Sequence, residues 1–312
     1  MTAPRGPTPS DPARSAVAAS DRGARAVASP TRWKGHELIW GSKTLVMAIV
    51  NMTPDSFSGD GLAGRSDEAL VRIEAAVAEG ADLVDIGAES TRPGHTPVPA
   101  EDQLARLLPV LRAVQGRLAV PISVDTSNAL VADAVLRAGA SMINDVRGLT
   151  ADPELAQVVA AHGVPAVVMH DVAPSPGDDL LLSIVRELDR RLQMAVAAGI
   201  APEMLIVDPG FGFGKDWRQN LELLRRLGEL RVLGRPILVG MSRKSTIGRV
   251  LGVAANDRVE GTAATVALAI AAGADIVRVH DVRVQARVAR MSDAVIRGAP
   301  PDPLTWPGGP ES

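Results

Sequence analysis

Cysteine is absent from this 312-residue chain, which excludes disulfides, thiolate metal ligands and cysteine nucleophiles together. That composition is compatible with a cytoplasmic enzyme. Tyrosine is absent too, and the three phenylalanines, at 57, 211 and 213, fall outside every stretch that reads as core. The core must therefore be Leu, Val, Ile, Ala and Met. The phenylalanines sit on Gly/Pro/Asp-rich loops, where together they suit a flat ligand or a loop lid. No apolar run approaches the roughly 18 residues of a membrane span, and a net charge of −3 offers no electrostatic case for nucleic acid or an anionic membrane. Residues 1–32, rich in Ala, Pro, Ser and Arg, lack the hydrophobic centre of a secretory signal, and Asp11 and Asp21 count against a transit peptide. They read as a disordered tail, and the Pro/Gly-rich 299–312 as a second one, on either side of a single domain at 33–298.

What is present is an alternation. Eight short apolar, largely β-branched runs occur at 44–51, 82–90, 120–126, 141–146, 165–170, 204–210, 236–244 and 275–282. Between them lie segments such as "SDEALVRIEAAVAEGA" and "LLLSIVRELDRRLQMAVAAGI", with apolar residues at helical spacing and a late Gly as C-cap. Ser66, with Glu68 and Glu74 behind it, reads as an acid-biased helix start, and "RELDRR" (186–191) as a solvated face. Near-continuous hydrophobic strands alternating with helices mean a parallel sheet. Eight such units in a chain of this size fit a (β/α)8 TIM barrel. An open doubly wound sheet would bring a glycine fingerprint after its first strand, and "NMTPDSF" (51–57) is none.

The stretch "LIVDPGFGFGK" (205–215) resembles a phosphate loop but has three residues between Gly210 and Gly214, and Asp216 after Lys215, so the P-loop pattern fails. Lys215 reads instead as a solvated or helix-start residue. Asp208, ahead of it, belongs to a larger set, because every strand ends in polar residues, where barrels carry their chemistry. Asn51, Glu89-Ser90-Thr91-Arg92, Asp125-Thr126, Asn144-Asp145, His170, Asp208, Ser242-Arg243-Lys244, and Arg278 with His280 occupy these ends in order. Asp145, Thr126 and Asp281 read as turn or cap formers. Asp125, Asn144 and Asp208 would converge as acceptors, with Lys244 as a donor, which suits the 2-amino-4-oxo edge of a pterin or guanine. Arg278, His280 and Asn51 would meet where the last strand adjoins the first. Two potentially cationic groups there suit a phosphate, and the Asn51 oxygen suits Mg2+ beside it.

Seven motifs in order, "IVNMTPDSFS" (49–58), "DIGAESTRPG" (85–94), "ISVDT" (122–126), "INDV" (143–146), "DPGFGFGK" (208–215), "GMSRKS" (240–245) and "RVHDV" (278–282), resemble those of the dihydropteroate synthases. The likeness covers residues 34–298. It implies a TIM barrel that joins 6-hydroxymethyl-7,8-dihydropterin diphosphate to 4-aminobenzoate, giving 7,8-dihydropteroate and pyrophosphate in folate biosynthesis. By motif position the resemblance implies pterin contacts at Asp125, Asn144, Asp208 and Lys244, and a Mg2+ ligand at Asn51. It implies diphosphate contacts at Thr91, Arg278 and His280, and a 4-aminobenzoate site bordered by Arg92, Pro93 and Ser245 with Phe213 against it. Asp125, Asp208, Lys244 and Arg278 would be the catalytic groups, in a homodimer formed through outer helices. Two mobile loops would span 53–64 and 91–97. The first loop departs from the family form, with its second acid at Asp60 while Asp55 matches, Ala88 replaces a usual Gly, and the segment after His170 differs. A methyltransferase on the same pterin barrel would have no use for "STRPG" or "SRKS", and a catalytically idle paralogue would not need Asn51, Lys244 and Arg278.

Overall fold

Each apolar run becomes a short buried strand, and the strands come together in the order of the chain. The computed structural model describes residues 28–52, 62–89, 98–175 and 177–298, with the backbone alone at 62–65. After a hairpin of β1 (Thr31–Trp33) and β2 (His36–Leu38) come β3 (Leu45–Asn51), β4 (Leu83–Gly87), β5 (Ile122–Asp125) and β6 (Met142–Asp145). The remaining strands are β7 (Ala166–Met169), β8 (Leu205–Asp208), β9 (Leu238–Val239) and β10 (Ile276–Val279). Among the described residues, β3 to β10 form one eight-stranded sheet in the order β8-β7-β6-β5-β4-β3-β10-β9. All of its paired strands run parallel. Its two edges meet where Val207 bridges Ile237 and donates its N–H to the Pro236 carbonyl at 2.9 Å. The sheet is thereby closed into the expected barrel.

The helices form the outer layer: α1 (Leu62–Ala78), α2 (Ala100–Val114), α3 (Ala129–Arg137), α4 (Leu155–His162), α5 (Leu180–Ala197), α6 (Trp217–Arg225), α7 (Ser245–Leu251), α8 (Val259–Ala272) and α9 (Val282–Arg297). Local chemistry sets their ends. Asn128 and Asp179 cap α3 and α5 through the N–H groups of Val131 and Leu182, and Asp216 with Gln219 forms a capping box on α6, each satisfying donors the first turn leaves over. Strands with helices outside and side chains inside are buried on both faces, which is why β4 to β8 carry no exposed residue.

Several expectations shift. α1 starts at Leu62 rather than at Ser66. The strand expected over 236–244 shrinks to Leu238–Val239. Arg243 takes a left-handed φ of 57° and the Lys244 N–H turns back to the Met241 carbonyl at 3.1 Å, so a loop replaces its second half. The first hairpin begins at Thr31, inside the stretch read as tail, and plugs the barrel's N-terminal end. There Trp33 Nε1 donates to the Ser141 carbonyl just ahead of β6 at 2.6 Å. Phe211 is a core residue at 1 % exposure, contrary to the reading of all three phenylalanines as loop residues around a ligand. "RELDRR" is not wholly solvated either. Arg191 is buried, and its guanidinium reaches Asp171 at 2.8 Å, the Met169 carbonyl at 2.6 Å and Glu187 at 2.7 Å. Residues 1–27 and 299–312, Ser90, and most of the two loops expected to move (53–61 and 91–97) lie outside the described residues. Among the described residues no helix is long and apolar enough to cross a membrane.

Candidate active site

Strand alternation decides which side chains enter the barrel. Register places Asn51 beside Gly87, Gly87 beside Asp125, and Asp125 beside Asn144, so the last residues of β3, β4 and β5 line up with β6 at the barrel's C-terminal end. Gly87 leaves the space between its neighbours open, since a Cβ there would stand 3.5 Å from the Asp125 Cβ and 3.8 Å from Asn51 Oδ1. Arg278, on β10, crosses this end of the cavity. It donates through Nε to Asp85 Oδ2 at 2.6 Å and through a terminal nitrogen to Asp125 Oδ2 at 3.2 Å. Asn144 Nδ2 also donates to Asp85 Oδ2, at 2.9 Å. Burial pushes Asp125 up to about 8, against the pull of the Arg278 guanidinium.

Asp208 ends β8, paired in register with Met169, the last residue of β7. Its Oδ1 accepts the Gly210 N–H at 2.7 Å, and burial raises its pKa while that bond and the charges of Lys244 and Arg278 lower it. The charges of both Asp125 and Asp208 act on Arg278, so one guanidinium lies within the field of the two acids. The loop behind Asp208 needs its glycines. Gly210 has φ 71°, and a Cβ on it would fall 1.8 Å from the His170 carbonyl oxygen. Lys244 lies along Gly212, where a Cβ would meet its Cδ at 3.1 Å, with Nζ 4.2 Å above the Phe213 ring. Phe213 therefore packs against Lys244, and Ser245, the next residue, is exposed as the first of α7.

Lys215 is not solvated. Its Nζ is buried against His170 Nδ1 at 2.9 Å and the carbonyls of Phe213, Gly210 and His170 at 2.9, 3.2 and 3.3 Å, which gathers the glycine loop around one nitrogen. Burial pulls Lys215 down to about 7 and His170 down to about 3, so His170 is neutral near pH 7 and braces the loop from beneath.

His280 is also neutral rather than cationic, because burial and then Arg278 pull it down to about 4. The Ser242 hydroxyl oxygen accepts the His280 backbone N–H at 3.1 Å, so its own proton is available to His280 Nδ1 at 3.0 Å. That assignment leaves Nε2–H as an outward donor. The part of the site that the sequence assigns to an anion thus holds one guanidinium and one neutral imidazole.

Asp145 and Thr126 are turn formers, as read from the sequence. Asp145 accepts from Ser127 and from the N–H groups of Arg147 and Leu149, and Thr126 Oγ1 accepts the Asn128 N–H. Asp281 is no cap. It binds Arg243 Nε at 3.0 Å instead. Thr91, Arg92 and Pro93 lie outside the described residues, as do Asp55 and Asp60. Sequence reasoning missed Asp85, although a charged residue in the middle of an otherwise apolar strand, "LVDIG", was signal enough.

The comparisons agree with this geometry. A sequence profile of the family described as pterin binding enzyme matches residues 47–280. The dihydropteroate synthase of Bacillus subtilis is 45% identical over 263 residues, covering 84% of this chain and 92% of that one. A crystal structure of a dihydropteroate synthase from Clostridium difficile, in the presence of pteroic acid, superposes with a TM-score of 0.80 at 45% identity, covering 83% of this chain and 98% of that one. A dihydropteroate synthase from Xanthomonas albilineans with 4-aminobenzoic acid gives 0.80 at 41% identity, over 86% and 98% of the two chains. A closed parallel barrel with buried acids at the C-terminal ends of β5 and β8, matched along nearly its whole length by such relatives, places this chain in the pterin-binding enzyme family, among the dihydropteroate synthases, the transferases of folate biosynthesis.

Proposed function

We propose that the cavity takes 6-hydroxymethyl-7,8-dihydropterin diphosphate with its ring among Asp125, Asn144, Asp208 and Lys244, and its diphosphate toward Thr91, Arg278 and His280. 4-Aminobenzoate would enter at the rim formed by Arg92, Pro93 and Ser245, with Phe213 at its flank. The observation that carries this reading is the pair of buried carboxylates, Asp125 and Asp208, both held in the field of Arg278. Acceptors of that kind match the amino and N–H groups of the ring edge.

The chemistry is a displacement at the methylene carbon. Its C–O bond to the diphosphate breaks, a C–N bond to the arylamine forms, and one amine proton leaves. Electron release from the dihydropterin lets the leaving group depart first, and Asp125 and Asp208 stabilise the positive charge this creates. Arg278 and the Nε2–H of His280 receive the departing oxygens. The arylamine is nucleophilic as it stands, so positioning suffices and no activating triad is required. Phe213 at the flank would help keep out water that would otherwise capture the cation.

Asn51 would hold Mg2+. A single amide oxygen beside a diphosphate suits this ion, which keeps several waters and binds through few protein ligands. Among the described residues no cluster of three or more acids or histidines offers a protein-only metal cage, which fits an ion that arrives with the substrate. It would neutralise diphosphate charge. The outer faces of α7 to α9 expose Val250, Leu251, Leu268, Met291 and Val295, an apolar surface that supports pairing with a second copy of the chain, and we place the reaction in the cytoplasm. The test is pyrophosphate release by the purified protein with both substrates and Mg2+. Release that depends on 4-aminobenzoate is expected, and release that ignores it would overturn the reading.

A further inference from the structure

Asp85 sits at the centre of β4, wholly buried at 0 % exposure, two residues short of the strand end where the other acids lie. One of its oxygens does two jobs. Oδ2 accepts Asn144 Nδ2 at 2.9 Å from β6 and Arg278 Nε at 2.6 Å from β10. The other, Oδ1, has no hydrogen-bond partner among the described residues, and neither has the buried Oγ of Ser123, its register neighbour on β5. A buried carboxylate with an orphaned oxygen weakens a fold, and an apolar side chain of similar size would pack there at less cost. Such a local conflict inside an otherwise consistent core points to a functional constraint.

The constraint is legible in what Oδ2 touches. An amide that gives one N–H to a carboxylate cannot turn over, because turning would set its carbonyl oxygen against the negative charge. The carbonyl of Asn144 is therefore held as an acceptor on the side away from Asp85. Arg278, gripped at Nε by Asp85 and at a terminal nitrogen by Asp125, is likewise fixed across the cavity. We propose that Asp85 is a positioning residue for the pterin site: it locks the Asn144 amide with its oxygen available to a ring donor and holds the Arg278 guanidinium in place, so that the cavity selects a ring edge rich in N–H groups. This rests on the pterin reading of the same site. Asp85 touches no substrate and acts only through Asn144 and Arg278.

Two variants of Asp85 test it. Asp85→Asn still offers one oxygen to Asn144 Nδ2 and Arg278 Nε, as Oδ2 does now, but without the charge. Its affinity for dihydropterin diphosphate, measured by titration calorimetry, should fall about tenfold with the KM for 4-aminobenzoate within about twofold of the wild type, and equal losses for both would overturn the proposal. Asp85→Leu removes the acceptor altogether and should weaken pterin binding by roughly a hundredfold. A lower melting temperature with unchanged pterin affinity in either variant would mean that Asp85 serves folding alone and would overturn the proposal. Should Asp85→Leu not fold, Asp85→Asn alone decides. Absence of binding by the wild-type protein would overturn the pterin reading and this inference with it, whereas wild-type binding that Asp85→Asn leaves unchanged would overturn this inference alone.

Discussion

Replacing Asp208 by Asn removes one charge and almost no volume, yet the structure makes it a severe change. Oδ1 of Asp208 is committed to the Gly210 N–H at 2.7 Å, so only Oδ2 remains for a ring donor. An asparagine has one oxygen for two donors. If the oxygen stays on Gly210, an NH2 group faces the N–H groups of the ring. If the amide turns over, the NH2 faces Gly210. Either way two donors oppose each other. The charged hydrogen bond to the ring contributes about 1.5–3 kcal/mol, and the unmatched buried donor costs a further 1–3 kcal/mol or so. Even the lower ends together come to about 2.5 kcal/mol, close to a seventyfold loss of affinity. Calorimetric titration with dihydropterin diphosphate measures it directly, with thermal unfolding as a control for folding. The asparagine variant is expected to bind no better than Asp208→Ala, because keeping a side chain of the same shape has no value when its polarity is wrong. Asparagine binding within about threefold of wild type would remove Asp208 from the ring site and refute the reasoning.

Burial keeps Asp125 protonated up to about pH 8 in the free protein. Ring binding through its ionised form should therefore strengthen as pH rises toward 8, and that slope should vanish in Asp125→Asn; a flat wild-type profile would count against it. The same raised pKa makes Asp125 a contributor to folding stability below its unfolded value of 3.8, lost as pH climbs through 8, so unfolding midpoints of wild type and Asp125→Asn should converge on the acid side. Gly210→Ala should unfold the 210–215 loop locally and abolish pterin binding, since its Cβ would overlap the His170 carbonyl at 1.8 Å; a crystal structure with the loop unmoved would contradict this. Arg191→Leu should cost about 2–4 kcal/mol by taking the donor from the Met169 and Arg147 carbonyls, near a 10 °C fall in melting temperature for a domain of this size, although Asp171 keeps Arg147 and Glu187 keeps Arg190. Arg191→Lys should restore little of it, because one ammonium cannot reach the Met169 and Arg147 carbonyls together with both acids.

The strands and their polar ends were legible because each residue there obeys a short-range rule. β-branched runs bounded by turn residues become buried strands, and the polar residues that end them land at one end of a barrel. The departures share a cause, which is that burial is decided by neighbours distant in sequence. Lys215 stands beside Asp216 in a segment rich in glycine and reads as solvated. It is buried because His170, 45 residues away, supplies a nitrogen and a carbonyl beneath it. Arg191 sits in a run of charges on an exposed helix, yet it is the position that turns inward toward Asp171 and Met169. Phe211 reads as a loop aromatic, and it is core because the left-handed glycines on either side fold the loop back onto the barrel. Asp85 was missed for a different reason. A search for polar residues at strand ends passes over the acid in the middle, although that acid connects Asn144 to Arg278.

The charges at the end of the cavity explain why a single guanidinium can serve two purposes. Asp85, Asp125 and Asp208 are buried there with Arg278 and Lys244 as the cations in their field. While Asp125 keeps its proton, it adds no negative charge to the field of these cations. Once the ring's N–H groups engage Asp125, its ionised form would be the favoured partner, and the site would gain a surplus negative charge beside the methylene carbon. That is the place where positive charge appears when the C–O bond breaks, so substrate binding itself would create the electrostatic preference for the transition state. Neutral His280 fits the same scheme. A second fixed cation beside Arg278 would cancel the surplus, whereas an imidazole N–H can receive the leaving oxygen without doing so.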